Sequence, residues 1–167
     1  MICGCGASSS FVLLGWGILI DGITSLTVET LSVGMLRGDV PLLDAAGCRA
    51  LAHDLEQAEM RREPSARIFD REQRWAASRY GIVSWIGGRF FAGGEVKRRT
   101  EFESRSQQTI QRTRRLALRA AQRAYELELG KAASSPADLV PDFLSAVPMD
   151  PATGKPFTKL PSTAAQD

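Results

Sequence analysis

The run from Arg105 to Leu129 limits the possible folds of this chain more than any other feature. It is dense in Arg, Gln, Ala, Leu and Glu, which are all good helix formers. Small and apolar residues recur along it at helical spacing, and one face carries Ile110, Thr113, Ala117, Ala120, Ala124 and Leu127. The alanines on this face predict that another helix packs closely against it. Gly130 then suits the left-handed position that ends many helices.

The upstream sequence predicts further helices. Residues 11–36 form one long apolar segment, which predicts a helix although several glycines weaken it. The stretch "RGDVP" at 37–41 predicts a break, in which Gly38 ends one element and Asp39 caps the next. From 42 to 62 the apolar residues again recur at helical spacing.

A third helical pattern follows Pro64, which marks a boundary. Ser65 suits the capping position, and apolar residues continue at helical spacing from Ile68 to Val83. The glycine pairs of "GGRFFAGG" then predict a flexible connector at about 87–95.

Dense proline and glycine usage from 131 to 160 predicts a compact cap that folds back on the end of the long helix. Ser135 suits the N-cap of a short helix, Pro136 suits its first position, and Asp138 can accept from free backbone N–H groups of the first turn. Apolar side chains that follow are expected to pack nearby, namely Phe143, Leu144 and Val147.

The second half of the cap carries the signals of a turn. Asp150 and Pro151 open it and Gly154 completes it, after which Lys155 to Leu160 can form one short edge strand.

These patterns together predict a mainly α protein. Several helices precede a short C-terminal cap with a short helix, turns and at most one or two short strands. We expect a flexible N-terminus at 1–10, a single mainly helical domain at 11–160 and a frayed tail at 161–167. The apolar fraction of 44% and the charged fraction of 24% fit a globular protein.

The apolar run from Phe11 to Ile20 is only ten residues long, whereas a membrane-spanning helix needs about twenty. No charged side chain precedes it within 1–10, so the basic flank of a signal peptide is absent. We expect a buried or membrane-adjacent helix here. A signal core without its flanks and a false start that lost a leader are the open alternatives.

Charge is unevenly distributed along the chain. Residues 1–60 carry two basic and seven acidic side chains, whereas 61–130 carry sixteen basic and eight acidic. Arginines surround the apolar face of the long helix, at 112, 114, 115, 119 and 123. We expect them to pair with the acidic first third of the same chain. A solvated helical face and an acidic or phosphate-bearing partner are the alternatives.

No residue pattern predicts catalysis or cofactor binding. Cys3, Cys5 and Cys48 have no disulfide spacing, and His53 lacks a partner set for a metal or a catalytic triad. Glu126 and Glu128 diverge on a helix and are expected beside the arginines. Gly154-Lys155 lacks the remaining P-loop residues, and "GWGILIDG" lacks the third glycine of a dinucleotide-binding fingerprint. We therefore predict no catalytic, cofactor-binding or metal-binding residues.

The C-terminal region resembles known bacterial envelope proteins. The stretch from Leu116 to Phe157 has an aromatic and a glycine at the end of a helix, then L-V-P-x-F-L and V-P-x-D-P-x-x-G-K-P. This order is similar to the segment after the long helix of type II secretion pseudopilins and type IV pilin-like proteins. It also resembles a group of envelope proteins from bacteria such as planctomycetes and verrucomicrobia. The matching positions are Tyr125, Gly130, Leu139, Val140, Pro141, Phe143, Leu144, Val147, Pro148, Asp150, Pro151, Gly154, Lys155 and Pro156.

The chain also departs from that pattern. Ala132 and Ala133 stand where the related pattern has Tyr-Pro. The nearest analogue of the pilin cleavage point is Ser10-Phe11, with Gly15 in place of the glutamate, and it lies far upstream of the signature. The multi-strand sheet and the calcium loop that pilins carry beyond the signature are not expected here.

The resemblance implies a non-enzymatic structural or interaction element of the cell envelope, membrane-associated or periplasmic, with protein or membrane partners. The alternative is a cytosolic helical adaptor whose Arg-rich helix binds an acidic partner or nucleic acid. Neither interpretation predicts a small-molecule substrate.

Overall fold

The computed structural model describes residues 17–80 and 82–161. The predictions for 1–10, 11–16 and the tail from 162 onward lie outside the described residues. The elements in chain order are α1 (Gly17–Asp39), a 3-10 turn (Val40–Leu42), α2 (Ala45–Met60), α3 (Ser65–Tyr80), α4 (Ile82–Leu129), a second 3-10 turn (Pro136–Leu139), β1 (Met149–Asp150) and β2 (Lys155–Pro156). The prediction of a mainly α fold with a short C-terminal cap is confirmed.

The break between α1 and α2 differs from the prediction in its capping residue. α1 continues through Gly38 to Asp39, and Asp39 makes no side-chain capping hydrogen bond to the 3-10 turn that follows. Asp44 is the cap of α2 instead, and its carboxylate accepts from the backbone N–H of Gly47 at 2.8 Å. Pro41 explains the difference, since it suits the start of a helical turn but cannot continue α1.

The predicted helix over 11–36 is confirmed for its described part, which belongs to α1. Val28, Leu31 and Met35 remain exposed on it. Among the described residues, no helix combines the length and the apolar character that are needed to cross a membrane.

α4 is 48 residues long and includes 87–95, so the predicted connector is wrong. Each glycine costs about 1 kcal/mol relative to alanine in a helix, but it keeps its backbone N–H and breaks no hydrogen bond. Elongation adds one hydrogen bond per residue fixed, so the helix continues through the glycine pairs. It ends as predicted, because Gly130 adopts a φ of +66°.

The chain divides into two compact units. Unit 1 consists of Met1–Thr27 and Glu63–Ser106, and unit 2 consists of Val28–Arg62 and Gln107–Asp167. One boundary falls within α1, one between α2 and α3 and one within α4, so α1 and α4 each contribute to both units. The single domain over 11–160 stays a prediction.

The described core of unit 1 is an aromatic pair. The rings of Phe69 and Phe102 meet edge to face, with centroids 5.3 Å apart, and both side chains are buried. Leu26 and Ile68 pack against them, and the Arg99 guanidinium lies 5.2 Å from the Phe69 ring centroid. The pair joins α3 to the middle of α4.

The core of unit 2 combines three helices with the cap. Small side chains of α4 allow close packing, as predicted, and Ala120, Ala121 and Ala124 are fully buried. Members from the other elements include Val33, Val40, Cys48, Ala52, Leu55, Leu139, Phe143 and Leu144. The rings of Tyr125 and Phe143 have centroids 5.4 Å apart. The cap therefore folds back on the end of α4 and belongs to the core.

Local hydrogen bonds shape the first half of the cap. The Asp138 carboxylate accepts from the backbone N–H groups of Ser134 at 2.8 Å and Ser135 at 2.9 Å. These two hydrogen bonds, that from Ser135 first, hold the pKa of Asp138 below its usual value. Asp138 thus caps the start of this turn, but its donors are the N–H groups of Ser134 and Ser135, which precede the turn, and not those of the first turn as predicted.

A short hairpin forms the second half of the cap. β1 and β2 are antiparallel, with Met149 opposite Pro156 and Asp150 opposite Lys155. Gly154 has a φ of +66°, and its N–H donates to the Asp150 carbonyl at 2.8 Å. The predicted turn is confirmed, whereas the predicted strand over 155–160 shortens to Lys155–Pro156.

Candidate functional site

Unit 2 contains a cleft of about 1180 Å³ that is lined by α1, α4 and the cap. α1 contributes Thr30, Val33, Gly34 and Arg37. α4 contributes Gln108, Gln111, Arg112, Arg115, Leu116, Leu118 and Arg119. The cap contributes Asp150, Thr153 and residues 155–161. The cleft therefore depends on the cap folding back on α4.

A polar stripe on α4 runs along the cleft. Its members are Gln108, Arg112, Arg115 and Arg119. Spacings of four, three and four residues keep them on one face, because the helix has 3.6 residues per turn. At 1.5 Å per residue, the three arginines lie within about 10 Å along the axis. Arg112 and Arg115 are exposed, and Arg119 is half-buried.

The lining is strongly basic. Its six cationic side chains are Arg37, Arg112, Arg115, Arg119, Lys155 and Lys159. Asp150 is the one acid among the described lining residues, and its carboxylate already accepts from Gln111 Nε2 at 3.2 Å and from the backbone N–H of Ala152 at 3.0 Å. A concave surface with this excess of positive charge attracts anions.

The arginines of α4 fall into two groups. Arg114 Nη2 lies 2.7 Å from Glu59 Oε1 on α2, and its Nη1 donates to the carbonyl of Met149 in the cap. The predicted pairing with the acidic first third of the chain is thus confirmed for Arg114. Arg112 and Arg115 make no ion pair with any residue that the structure describes. They are therefore the ones available to a partner.

A partly buried ionic network lies next to Arg114 and shares Glu59 with it. The Arg62 guanidinium donates to both carboxylate oxygens of Glu29 and lies 3.4 Å from Glu59 Oε2. Thr113 Oγ1 also donates to Glu29, at 3.1 Å. Burial by itself would lower the pKa of Arg62, but pairing with Glu29 and Glu59 outweighs it and raises the pKa. The network ties α1 and α2 to α4.

A second ion pair holds the cap to α2 and α4. The Arg49 guanidinium donates to both carboxylate oxygens of Glu128, each at 2.6 Å, and stacks 4.3 Å from the Phe143 ring centroid. The hydrogen bond to Glu128 raises the pKa of Arg49. Glu126 lies 3.8 Å from Arg123. The prediction that both glutamates lie beside arginines is confirmed.

The residues considered for catalysis or metal binding do not converge. Cys48 is fully buried, and burial raises the pKa of its thiol, which disfavours the reactive thiolate. His53 Nδ1 lies 3.8 Å from Asp54, and both side chains are exposed. Within residues 17–80 and 82–161, no group of three or more His, Cys, Asp or Glu is placed to hold a metal ion. The absence of enzymatic activity and of cofactors stays a prediction.

The sequence analysis identified the arginines but not the cleft. Arg37, Lys155 and Lys159 join the site from α1 and the cap, and none of them lies near α4 in the sequence. No local pattern relates them, since only the packing of the three elements brings them together.

Comparisons with known proteins add no relative. No protein-family model, no curated protein and no solved structure matches this chain. The likeness of residues 116–157 to pseudopilin-like proteins therefore stays a resemblance.

Proposed function

We propose that this protein is a non-enzymatic interaction element of the bacterial cell envelope that binds an anionic partner through the basic cleft. The cleft carries the proposal, because its described lining has six cationic side chains and one acid, which already accepts hydrogen bonds from Gln111 of α4 and Ala152 of the cap. The envelope location rests on the pseudopilin-like sequence from Leu116 to Phe157.

The chemistry of the cleft suits anion binding rather than a structural role alone. Guanidinium groups bind carboxylates and phosphates through two parallel hydrogen bonds, which adds geometric specificity to the charge attraction. No described residue forms an ion pair with Arg112 or Arg115, whereas Arg114 uses its guanidinium on Glu59 and Met149.

The second candidate function is a cytosolic helical adaptor that uses the same arginines. The arginine stripe on α4 supports the adaptor as well as it supports the envelope element, because anion binding does not depend on the cellular compartment. Fractionation of cells that express the full chain separates the two. Recovery with membranes or the periplasm supports the envelope element, and recovery in the cytosol supports the adaptor.

Charge reversal tests whether the cleft binds anions. We expect the wild type to bind a sulfated polyanion column and to elute at a defined salt concentration, since counterion release makes such binding salt-dependent. Arg112→Glu combined with Arg115→Glu should elute at clearly lower salt. The control combines Arg61→Glu with Arg67→Glu, which makes the same change in net charge at exposed positions outside the cleft. Equal shifts for both variants would show that overall charge, not the cleft, drives binding.

A further inference from the structure

We infer that the anionic partner is an extended acidic peptide segment, with carboxylates at alternate positions and apolar side chains between them. This inference rests on the proposed function and adds the chemical class of the partner. It follows from the spacing of the arginines, the apolar part of the lining and the backbone of the cap.

The spacing of the arginines fits alternate residues of an extended chain. Arg112 and Arg115 are three residues apart on a helix face, where side chains lie about 5–6 Å from each other. Alternate residues of an extended peptide point the same way and lie about 6.6 Å apart. Two such carboxylates can therefore each meet one guanidinium.

Apolar residues beside the cations predict a partner that is not purely polar. Phe157 and Leu160 line the cleft and are half-buried, so each presents part of its apolar surface there. A segment with apolar side chains between its carboxylates removes this surface from water while its acids pair with the arginines. A simple polyanion would leave it uncovered.

The cap also offers an unpaired backbone position just beyond its hairpin. The N–H of Phe157 donates to the carbonyl of Pro148 across the hairpin. Thr158 follows it in the cleft lining, and its N–H and C=O have no partner among the residues that the structure describes. Extended peptides commonly bind by hydrogen bonding to unpaired backbone groups next to a strand. An extended segment can therefore pair with Thr158 while its acids reach α4.

Other anionic partners fit the lining less well. Bases of single-stranded nucleic acid stack on aromatic platforms, and Phe157 is the one aromatic residue in the part of the lining that the structure describes. An acyl chain needs an open apolar slot. Beneath the arginines, however, Leu116 is 3% exposed and Leu118 is fully buried, so the floor is closed.

Selection from peptide libraries tests the inference with the full chain. One displayed library contains peptides of about ten residues with Asp or Glu at alternate positions and random apolar residues between them. The matched library has Asn or Gln at the same positions. We expect binders only from the acidic library, and substituting Asn or Gln for the acids of a selected peptide should weaken it about tenfold or more.

Variants and alternative probes complete the test. Arg112→Ala combined with Arg115→Ala should weaken the selected peptide about tenfold, whereas Arg61→Ala combined with Arg67→Ala should not. Binding of phosphatidylglycerol vesicles or an oligouridylate through Arg112 and Arg115, without acidic peptide binders, would overturn the peptide inference and leave the proposed function intact. If peptides, vesicles and oligouridylate all fail to bind, both are overturned. Circular dichroism confirms that each variant remains folded.

Discussion

At the scale of single residues, three partly buried charges of unit 2 are matched by one another. Arg62 is 18% exposed and lies between Glu29 and Glu59, which are 27% and 20% exposed. A charge removed from water is tolerated only when it is paired and hydrogen-bonded. Loss of one partner therefore costs more than the net value of the ion pair, because the others are left unpaired.

Arg62→Met tests this network. We expect the free energy of unfolding to fall by about 1–3 kcal/mol, since Glu29 and Glu59 each lose a charged partner. Arg61→Met is the matched control, because Arg61 is the exposed neighbour and makes no ion pair with a described residue. Chemical denaturation measures both variants. A loss for Arg62→Met no larger than that for Arg61→Met would show that the network adds nothing.

The stabilising effect of the Asp138 carboxylate depends on pH. Its two backbone hydrogen bonds favour the charged form, so its pKa in the folded state is below its usual 3.8. Its stabilising effect is therefore complete above that value and is lost as the pH falls through the lower, folded-state pKa.

Asp138→Asn should isolate the effect of this charge. We expect the wild type to be the more stable protein near pH 7, and the difference should shrink only below pH 3.8. Urea denaturation at several pH values measures it. A difference that disappears between pH 7 and pH 5 would contradict the assignment.

At the scale of elements, the C-terminal cap is part of the core although it contains little regular structure. Leu139 and Leu144 have almost no exposed surface, and Phe143 packs on Tyr125 of α4. Arg49 then joins α2, α4 and the cap by its contacts with Glu128 and Phe143. The short 3-10 turn and hairpin are thus held by packing against helices, since a two-residue strand pair has little stability of its own.

Leu139→Ala should show how firmly the cap is anchored. We expect a loss of about 2–5 kcal/mol in the free energy of unfolding, because Leu139 is fully buried and its removal leaves a cavity. Leu42→Ala makes the same chemical change at a site that is 82% exposed, where the cost should be below about 0.5 kcal/mol. Similar values for the two variants, measured by thermal or chemical denaturation, would contradict the packing of the cap.

At the scale of the whole molecule, the two units differ in how much apolar surface the described residues bury. The described core of unit 1 centres on Phe69 and Phe102, whereas that of unit 2 unites three helices and the cap. Burial of apolar area is the main stabilising contribution to folding. Local stability should therefore be higher in unit 2.

Hydrogen exchange can compare the units through two helices of equal length. α2 in unit 2 and α3 in unit 1 each have 16 residues, but α2 buries Cys48, Ala52 and Leu55, whereas α3 buries Phe69 among the side chains that the structure describes. We expect the central amides of α2 to exchange at least about tenfold more slowly, since protection follows buried apolar contact. Equal or greater protection of α3 would contradict this difference.

The sequence by itself determined the features that depend on neighbouring residues. Helix propensity predicted the part of α4 from Arg105 onward, and Gly130 and Gly154 stand where the backbone needs a positive φ. The capping role of Asp138 was equally readable, because its hydrogen-bond partners lie three and four residues away. These features follow from the geometry of short chain segments.

Only the tertiary structure decided the features that join distant residues. Arg114 and Arg115 are neighbours in the sequence, yet one pairs with Glu59 and the other lines the cleft. Helical spacing predicts which face of α4 each arginine occupies. The residues that each face contacts depend on how α1, α2 and the cap pack. The basic cleft is therefore a property of the packing of unit 2.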